Sequence, residues 1–306
     1  MIRYLAYRAA LAIPLFLGAA LLIFLAGHYA PGDPVQTLLG DHYNPQTAAR
    51  MRHELGLDRP LAIQFVAYVR DAVTLDFGTS YVNPSWRVGD IVRQTLPISL
   101  GLAALAVALA AAAGVGLGLA AAVTSGRAAD RLIQVGVLSG LSVPSFVVAA
   151  VLVLVFALHW RLLPVAGWGK PQDYVLPVVV LAGAPIAYIT RITRSSVAQV
   201  LTEDYVRTAR SKGLRAPVVL LRHVLRNAAL PVVTTVGIAF GNAIVGAFVV
   251  EVVFNIPGIA RIAVNAILQR DYTVIQTVML VYTALFTAIN LAVDISYAYL
   301  NPRVRY

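Results

Sequence analysis

The sequence predicts an all-α integral membrane protein: six transmembrane helices, N- and C-termini cytoplasmic, and a helical subdomain outside the membrane. Three observations carry this prediction. The 306 residues are 59% hydrophobic and only 12% charged, too apolar for an ordinary soluble domain. Several apolar runs reach the roughly 20 residues that take a helix across a ~30 Å hydrocarbon core. Their Ala, Leu, Gly and Val do not alternate as the roughly 10-residue strands of a membrane barrel would.

The spans fall at about 9–29, 96–123, 132–158, 174–197, 229–253 and 275–299. The first follows Arg3 and Arg8, as a signal peptide would. It is longer than a usual signal core, and Gly27-His28-Tyr29-Ala30 offers no small-x-small cleavage site, so an uncleaved first span is expected. An inside N-terminus puts Arg3, Arg8, Arg127, Arg131, the basic run from Arg191 to Arg226, Arg303 and Arg305 on one side. The acids there are Asp130, Glu203 and Asp204, whereas the other side is close to neutral, and the positive-inside rule selects this orientation. A net charge of +10 could suggest nucleic acid, but topology and anionic lipid already account for much of the cytoplasmic charge. The chain has no cysteine, so disulfides, Cys metal sites and thiol nucleophiles are excluded. His28, His42, His53, His159 and His223 are scattered without an H-x-x-x-H pair, and solvated or interfacial roles are expected of them.

Three parts follow: residues 1–29 as N-terminal segment and first span, 30–95 as an extracytoplasmic helical loop subdomain, and 96–306 as a five-span core with a cytoplasmic loop at 198–228. In the outer subdomain, Asn44-Pro45 reads as a cap and first-turn proline, and Gly56 as a stop. Pro60 opens a second stretch, with Leu61, Phe65, Tyr68 and Val69 near helical spacing. Phe77-Gly78-Thr79-Ser80 and Asn83-Pro84 are turn signals, and an amphipathic run from Ser85 to Arg93 leads into the second span.

Within the spans, Gly114-x-Gly116-x-Gly118 lacks the strand and spacing of a nucleotide loop. Gly114/Gly118 and Gly237/Gly241 instead fit the small-xxx-small pattern of closely packed helices. Pro144, Pro177, Pro185 and Pro231 each remove a backbone donor and can kink a span. Glu251, near the hydrated outer end of the fifth span, and Asp294, in the sixth, are expected to form structural pairs or to meet substrate. Asn242, near mid-span, and Glu251 are the candidate translocation-pathway residues. No metal site, catalytic residue or P-loop is evident, so any ATP would be bound by another chain.

The polar insert Glu203-Asp204-Tyr205-Val206-Arg207-Thr208-Ala209-Arg210-Ser211-Lys212-Gly213 is the most informative segment. Glu203 and Arg207 have the favourable i,i+4 order, Asp204 lies in the first turn, and Gly213 ends the helix. Pro217 starts a second helix with Arg222 and Arg226 on one face. Helix, glycine, helix makes a compact foot. A docked protein is the first choice of occupant; a lipid surface and a DNA duplex are the alternatives.

The segment Asp204 to Gly213 and Leu214, with Leu221-Arg222-His223-Val224-Leu225-Arg226-Asn227-Ala228-Ala229-Leu230-Pro231, resembles the ATPase-coupling loop of ABC importer permeases, and more narrowly that of the dipeptide/oligopeptide/nickel branch. Pro31-Gly32-Asp33-Pro34, Leu55-Gly56-Leu57-Asp58-Arg59-Pro60 and Asp76-Phe77-Gly78-Thr79-Ser80 are similar to the outer loop of the first, B-type permease of such pairs. Glu251-Val252-Val253-Phe254-Asn255-Ile256-Pro257-Gly258, Arg270-Asp271-Tyr272 and the tail Pro302 to Tyr306 agree. Arg207 stands where importers in general have Glu, a feature of the peptide branch, and Asn301 replaces the usual Asp of the tail.

The resemblance implies a type I ABC importer permease fold. It implies a non-catalytic subunit for dipeptide or oligopeptide uptake, paired with a second homologous permease. Two cytoplasmic ABC ATPase subunits would bind ATP and Mg, and an extracytoplasmic substrate-binding protein would deliver cargo. Membrane lipid surrounds the assembly and no nucleic acid is involved. The coupling residues it implies are Asp204, Tyr205, Arg207, Thr208, Ala209, Arg210, Lys212, Gly213 and Leu214, with Tyr205, Thr208, Ala209 and Leu214 filling the ATPase cleft. A self-sufficient secondary carrier or channel and a nickel-type permease are the alternatives.

Overall fold

The computed structural model describes residues 2–30, 34–39 and 44–300; the Pro31-Gly32-Asp33 motif and the tail Asn301–Tyr306 lie outside the described residues. Among the described residues the regular structure is helical, apart from one antiparallel bridge between Thr79 and Arg87. The helices are α1 (Ile2–His28), α2 (Pro34–Leu39), α3 (Pro45–Glu54), α4 (Leu61–Thr74), α5 (Val88–Val123), α6 (Ala128–Ser142) and α7 (Ser145–Leu152). A π-helical turn, Val153–His159, extends α7. Then come α8 (Pro171–Val200), α9 (Asp204–Ser211), α10 (Ala216–Val218), a second π-helical turn (Val219–Val224), α11 (Leu225–Val253), α12 (Ile259–Gln269) and α13 (Tyr272–Leu300).

Five stretches are long and apolar enough to cross a bilayer: Ala10–His28, Val88–Val123, Pro171–Val200, Ala216–Val253 and Tyr272–Ser296. The third expected span, 132–158, is not a straight helix; α6 and the α7–π segment meet at a bend of 99°. Pro144 explains the break. Its ring disfavours helical backbone at the preceding residue, and Val143 is extended at φ −97°, ψ 125°. Pro14, Pro97, Pro177, Pro185 and Pro231 sit inside continuous helices. Counted as one broken span, the pair gives the six crossings expected.

The chain forms two compact units. One comprises Leu100–Ile256 and the chain from Ile289; the other comprises Ile2–Ser99 and Pro257–Ala288. In the first unit, α5 and α8 meet where the glycine pattern predicts close packing. A Cβ on Gly114 would lie 2.8 Å from the Ile189 side chain, and one on Gly118 would lie 2.7 Å from the Thr190 carbonyl oxygen. Only hydrogen fits there. The Asp130 carboxylate, at the start of α6, accepts two hydrogen bonds of 2.6 Å from the Arg194 guanidinium of α8. Asp130 also accepts from the Gly126 backbone N–H at 3.0 Å, which ties the turn before α6 into the same cluster.

The second unit is built around the outer loop. Asn44 accepts from Gln46 N at 2.9 Å and Pro45 occupies the first turn of α3, as expected of that dipeptide. Gly56, at φ +68°, turns the chain toward α4. Phe24 of α1 packs against Phe65 and Tyr68 of α4 at ring separations of 5.6 and 5.7 Å. The Asp76–Ser80 and Arg270–Tyr272 motifs, far apart in sequence, come together. Asp271 accepts from the Ser80 hydroxyl and, at 3.1 Å, from the Tyr81 backbone N–H. Both Ser80 and Asp271 are buried, and Ser80 Oγ also accepts from Asn83 N at 2.9 Å. Ser99 plays a similar long-range part at the start of α12, where its hydroxyl accepts from Ile259 N at 3.0 Å.

The close approach of α5 and α8 gives a differential expectation. Gly118→Ala overpacks the contact and costs about 1–3 kcal/mol. Gly116→Ala, with open space around the added methyl, gains about 0.5–1 kcal/mol from helix propensity. Thermal melting of the detergent-solubilised protein checks this: Gly118→Ala is expected to lower the midpoint and Gly116→Ala to hold or raise it.

Candidate functional site

The insert after α8 folds as the expected short helix, α9, ended by Gly213, but the second expected helix is not separate: α10 and the π turn run on into α11 as one stretch, Ala216–Val253. Glu203, with extended backbone (φ −68°, ψ 144°), precedes α9, and Lys212 follows it. Gly213 adopts φ +77°, and nothing lies within 4 Å of where its Cβ would be. The requirement for glycine is therefore conformational: an L side chain would be strained in this left-handed backbone although space is available.

One face of α9 belongs to the chain's own core. Val206 and Ala209, spaced i,i+3, are 0% and 6% exposed and pack with Ala122, Val197, Val219, Val224 and Ala228. They join the ends of α5 and α8 to the π turn and the start of α11. Ala209 thus departs from the expectation that it fills a partner's cleft, because its side chain faces inward. The i,i+3 pairing of Val206 with Ala209, between polar neighbours, was the signal that could have assigned it correctly.

The opposite face is open. Arg207, Thr208 and Ser211 lie away from the buried pair, flanked by Tyr205 and Arg210, and all five are exposed. Asp204, Lys212, Gly213 and Leu214 are exposed as well. Arg207 pairs with Asp204 at 3.7 Å rather than with the expected Glu203. Both side chains are solvated, so this pair contributes little to stability and leaves the guanidinium available. Thr208 and Ser211 donate their hydroxyls to the carbonyls of Asp204 and Arg207, at 2.9 and 3.1 Å, holding those side chains against the helix. Tyr205 neighbours Asn227 of α11. Desolvation, with nearby Glu203, raises its phenol above the ordinary pKa, while Asn227 acts the other way.

The two pathway candidates part company. Asn242 is exposed, in line with exposed Ile238 and Val245 on an apolar helix, so an amide is presented midway along α11. Glu251, expected to be partly hydrated, is instead 0% exposed. After α11 the chain reverses through Asn255, at φ +55°, and Phe254 and Ile256 are themselves buried. Ile256 N donates to the Glu251 carbonyl at 2.8 Å, and Gly167 N donates to the Phe254 carbonyl at 3.3 Å. That reversal covers the end of the helix and makes Glu251 part of a packed corner. Asp294 is half-buried and engaged. Sequence reasoning did not find the Asp130–Arg194 pair or the Ser80–Asp271 clamp. Each joins residues distant in the chain, and no local spacing announces either.

Comparison with known proteins places this geometry. Residues 114–306 match the family model described as binding-protein-dependent transport system inner membrane component, and residues 1–83 match the N-terminal membrane component of such systems. The chain is 41% identical to the glutathione transport system permease protein GsiC of Salmonella paratyphi A, over 100% of both chains. It is 40% identical to the GsiC protein of Escherichia coli K12, again over 100% of both. In fold it is similar to an inward-facing form of the MetNI methionine ABC transporter, with TM-score 0.60, 15% identity, and coverage of 69% of this chain and 96% of that one. A crystal structure of an amino acid ABC transporter with histidines gives TM-score 0.55, 16% identity, and coverage of 69% and 94%. The chain therefore belongs to the family of binding-protein-dependent transport system inner membrane components, as a multi-pass permease subunit of an ABC importer with the type I permease fold.

Proposed function

We propose that this permease is the first, B-type member of a heteromeric pair that imports short peptides, and that α9 is its point of attachment to a cytoplasmic ATPase. The observation that carries the reading is the two-sided character of α9. Its inner face is fixed to three helix ends, whereas its outer face offers Arg207, Thr208 and Ser211 with Tyr205 and Leu214 beside them. A displacement of the outer face would be passed to α5, α8 and α11 through Val206 and Ala209. ATP binding and hydrolysis by the partner subunits would thereby expose the pathway to alternate sides of the membrane. In this arrangement both termini are cytoplasmic, Arg207, Arg210 and Lys212 meet acids around the ATPase cleft, and Asn242 faces the pathway.

Peptide-class cargo is supported by the two full-length relatives named as glutathione permeases, glutathione being a small peptide. Residues 1–29, 30–95 and 96–306 would act as anchor, docking platform for the binding protein, and translocating core. In the platform, the His53 ring and the Asp58 carboxylate are 2.6 Å apart, holding that carboxyl below its usual pKa and fixing the turn after α3.

Two experiments test this reading. Arg207→Glu and Gly213→Leu are each expected to cut substrate-stimulated ATP hydrolysis of the assembled, reconstituted transporter at least tenfold while membrane insertion is unchanged. Normal stimulated hydrolysis in the Gly213→Leu complex would refute the role given to α9. Replacing residues 44–57 with a Gly-Ser linker spares α4 and its aromatic contacts. That change is expected to weaken binding-protein docking at least tenfold, and unchanged affinity in the intact complex would remove the docking role.

A further inference from the structure

The second unit contains a cavity of about 990 Å³ that the proposed transport cycle does not use. That volume is at the top of the roughly 300–1,000 Å³ range of ligand clefts. Much of its lining is apolar. Leu280, Ala284 and Ala288 follow one another at i,i+4 along α13, with Phe16 of α1 and Leu96 of α5 also lining it. The two alanines are exposed, so small side chains keep open a strip that larger ones would fill.

The rim has a different chemistry. Asp76, Arg87, Asp90 and Arg93 line it, two acids with two guanidiniums, and all four are exposed. No ion pair among the described residues uses any of them. Three of the four lie on or just before the first turns of α5. That helix has 36 residues, about 54 Å of length, so its first turns project beyond a ~30 Å hydrocarbon core to headgroup level.

We propose that this cavity holds one phospholipid with a zwitterionic, phosphoethanolamine-type headgroup, from the leaflet that the N-terminal end of α5 enters. One acyl chain lies along Leu280, Ala284 and Ala288. Arg87 and Arg93 take the phosphate, for which the planar guanidinium is well suited, and Asp76 and Asp90 take the ammonium. The apolar part of the lining argues against a peptide occupant, because peptide amides placed there would lose their hydrogen bonds to water without replacement. The mixed rim argues against an anionic headgroup, which two carboxylates would repel. Leu75, which also lines the cavity, is exposed and holds left-handed backbone at φ +59° at the end of α4, so an apolar side chain is presented at the lip. Calling that leaflet external rests on the orientation proposed above.

The test uses the whole transporter with its partner subunits, washed in detergent and titrated with dioleoyl-phosphatidylethanolamine or dioleoyl-phosphatidylglycerol while native mass spectrometry counts bound lipid. The unsubstituted protein is expected to retain one phosphatidylethanolamine per copy of this chain, at least tenfold more tightly than phosphatidylglycerol. Ala284→Phe with Ala288→Phe is expected to abolish retention. Asp76→Asn with Asp90→Asn, both at exposed positions that leave packing intact, is expected to keep a lipid but erase the headgroup preference. Retention unaltered by the phenylalanines, an unchanged preference in the asparagine variant, or no lipid in the assembled transporter would each overturn the proposal. Because the readout involves no transport, an error in the cargo assignment would leave these results untouched.

Discussion

An eight-residue helix does not persist in water on its own, since isolated helices shorter than about 12–15 residues are marginal. The existence of α9 therefore depends on the seat beneath it. Burying Val206 alone supplies about 1.5–3 kcal/mol, and Ala209 beside it lets the backbone approach the ends of α5, α8 and α11. The same contact does two things: it makes the helix, and it makes the helix rigidly continuous with the spans. A foot held only by its flanking loops would absorb an applied displacement, whereas one packed into the core passes it on.

The rest of the first unit supports that seat. Gly114 and Gly118 bring α5 against α8, and the Asp130–Arg194 pair ties the next element to α8. Asp130 is 5% exposed as a side chain, and its two guanidinium bonds and one backbone donor compensate its removal from water. α5 and α6 are thus each held directly against α8, one of the helices that seat the foot. The second unit is organised around a different constraint. There the Asp271 clamp joins the outer loop to the start of α13, and Ser99 caps α12 across the chain.

Much of this was readable from the chain because it rests on local rules. Asn44-Pro45 announces α3, Gly213 announces the end of α9, and the glycine spacing announces close helix packing, which the structure shows between α5 and α8. Other features escaped. Pro144 is a source of kinks by sequence alone, but the 99° size of the break is set by the extended backbone at Val143 and is not a property of the proline by itself. Glu251 was expected to be hydrated because its place in the sequence is near a helix end. Only the folding-back of Phe254 and Ile256 shows that the end is covered. Ala209 turns inward for a local reason: its i,i+3 spacing from Val206 puts both side chains on one face of α9.

The central claim is that α9 has one face built into the permease and the other built for an ATPase. Because the chain has no cysteine, one introduced by Thr208→Cys reports on the outer face without background. Its reaction with a membrane-impermeant maleimide should be compared in the permease pair before and after the ATPase subunits are added. The account expects rapid labelling of the pair alone and strong protection once the ATPases have bound. Equal labelling in both, with the complex shown to be assembled, would contradict it.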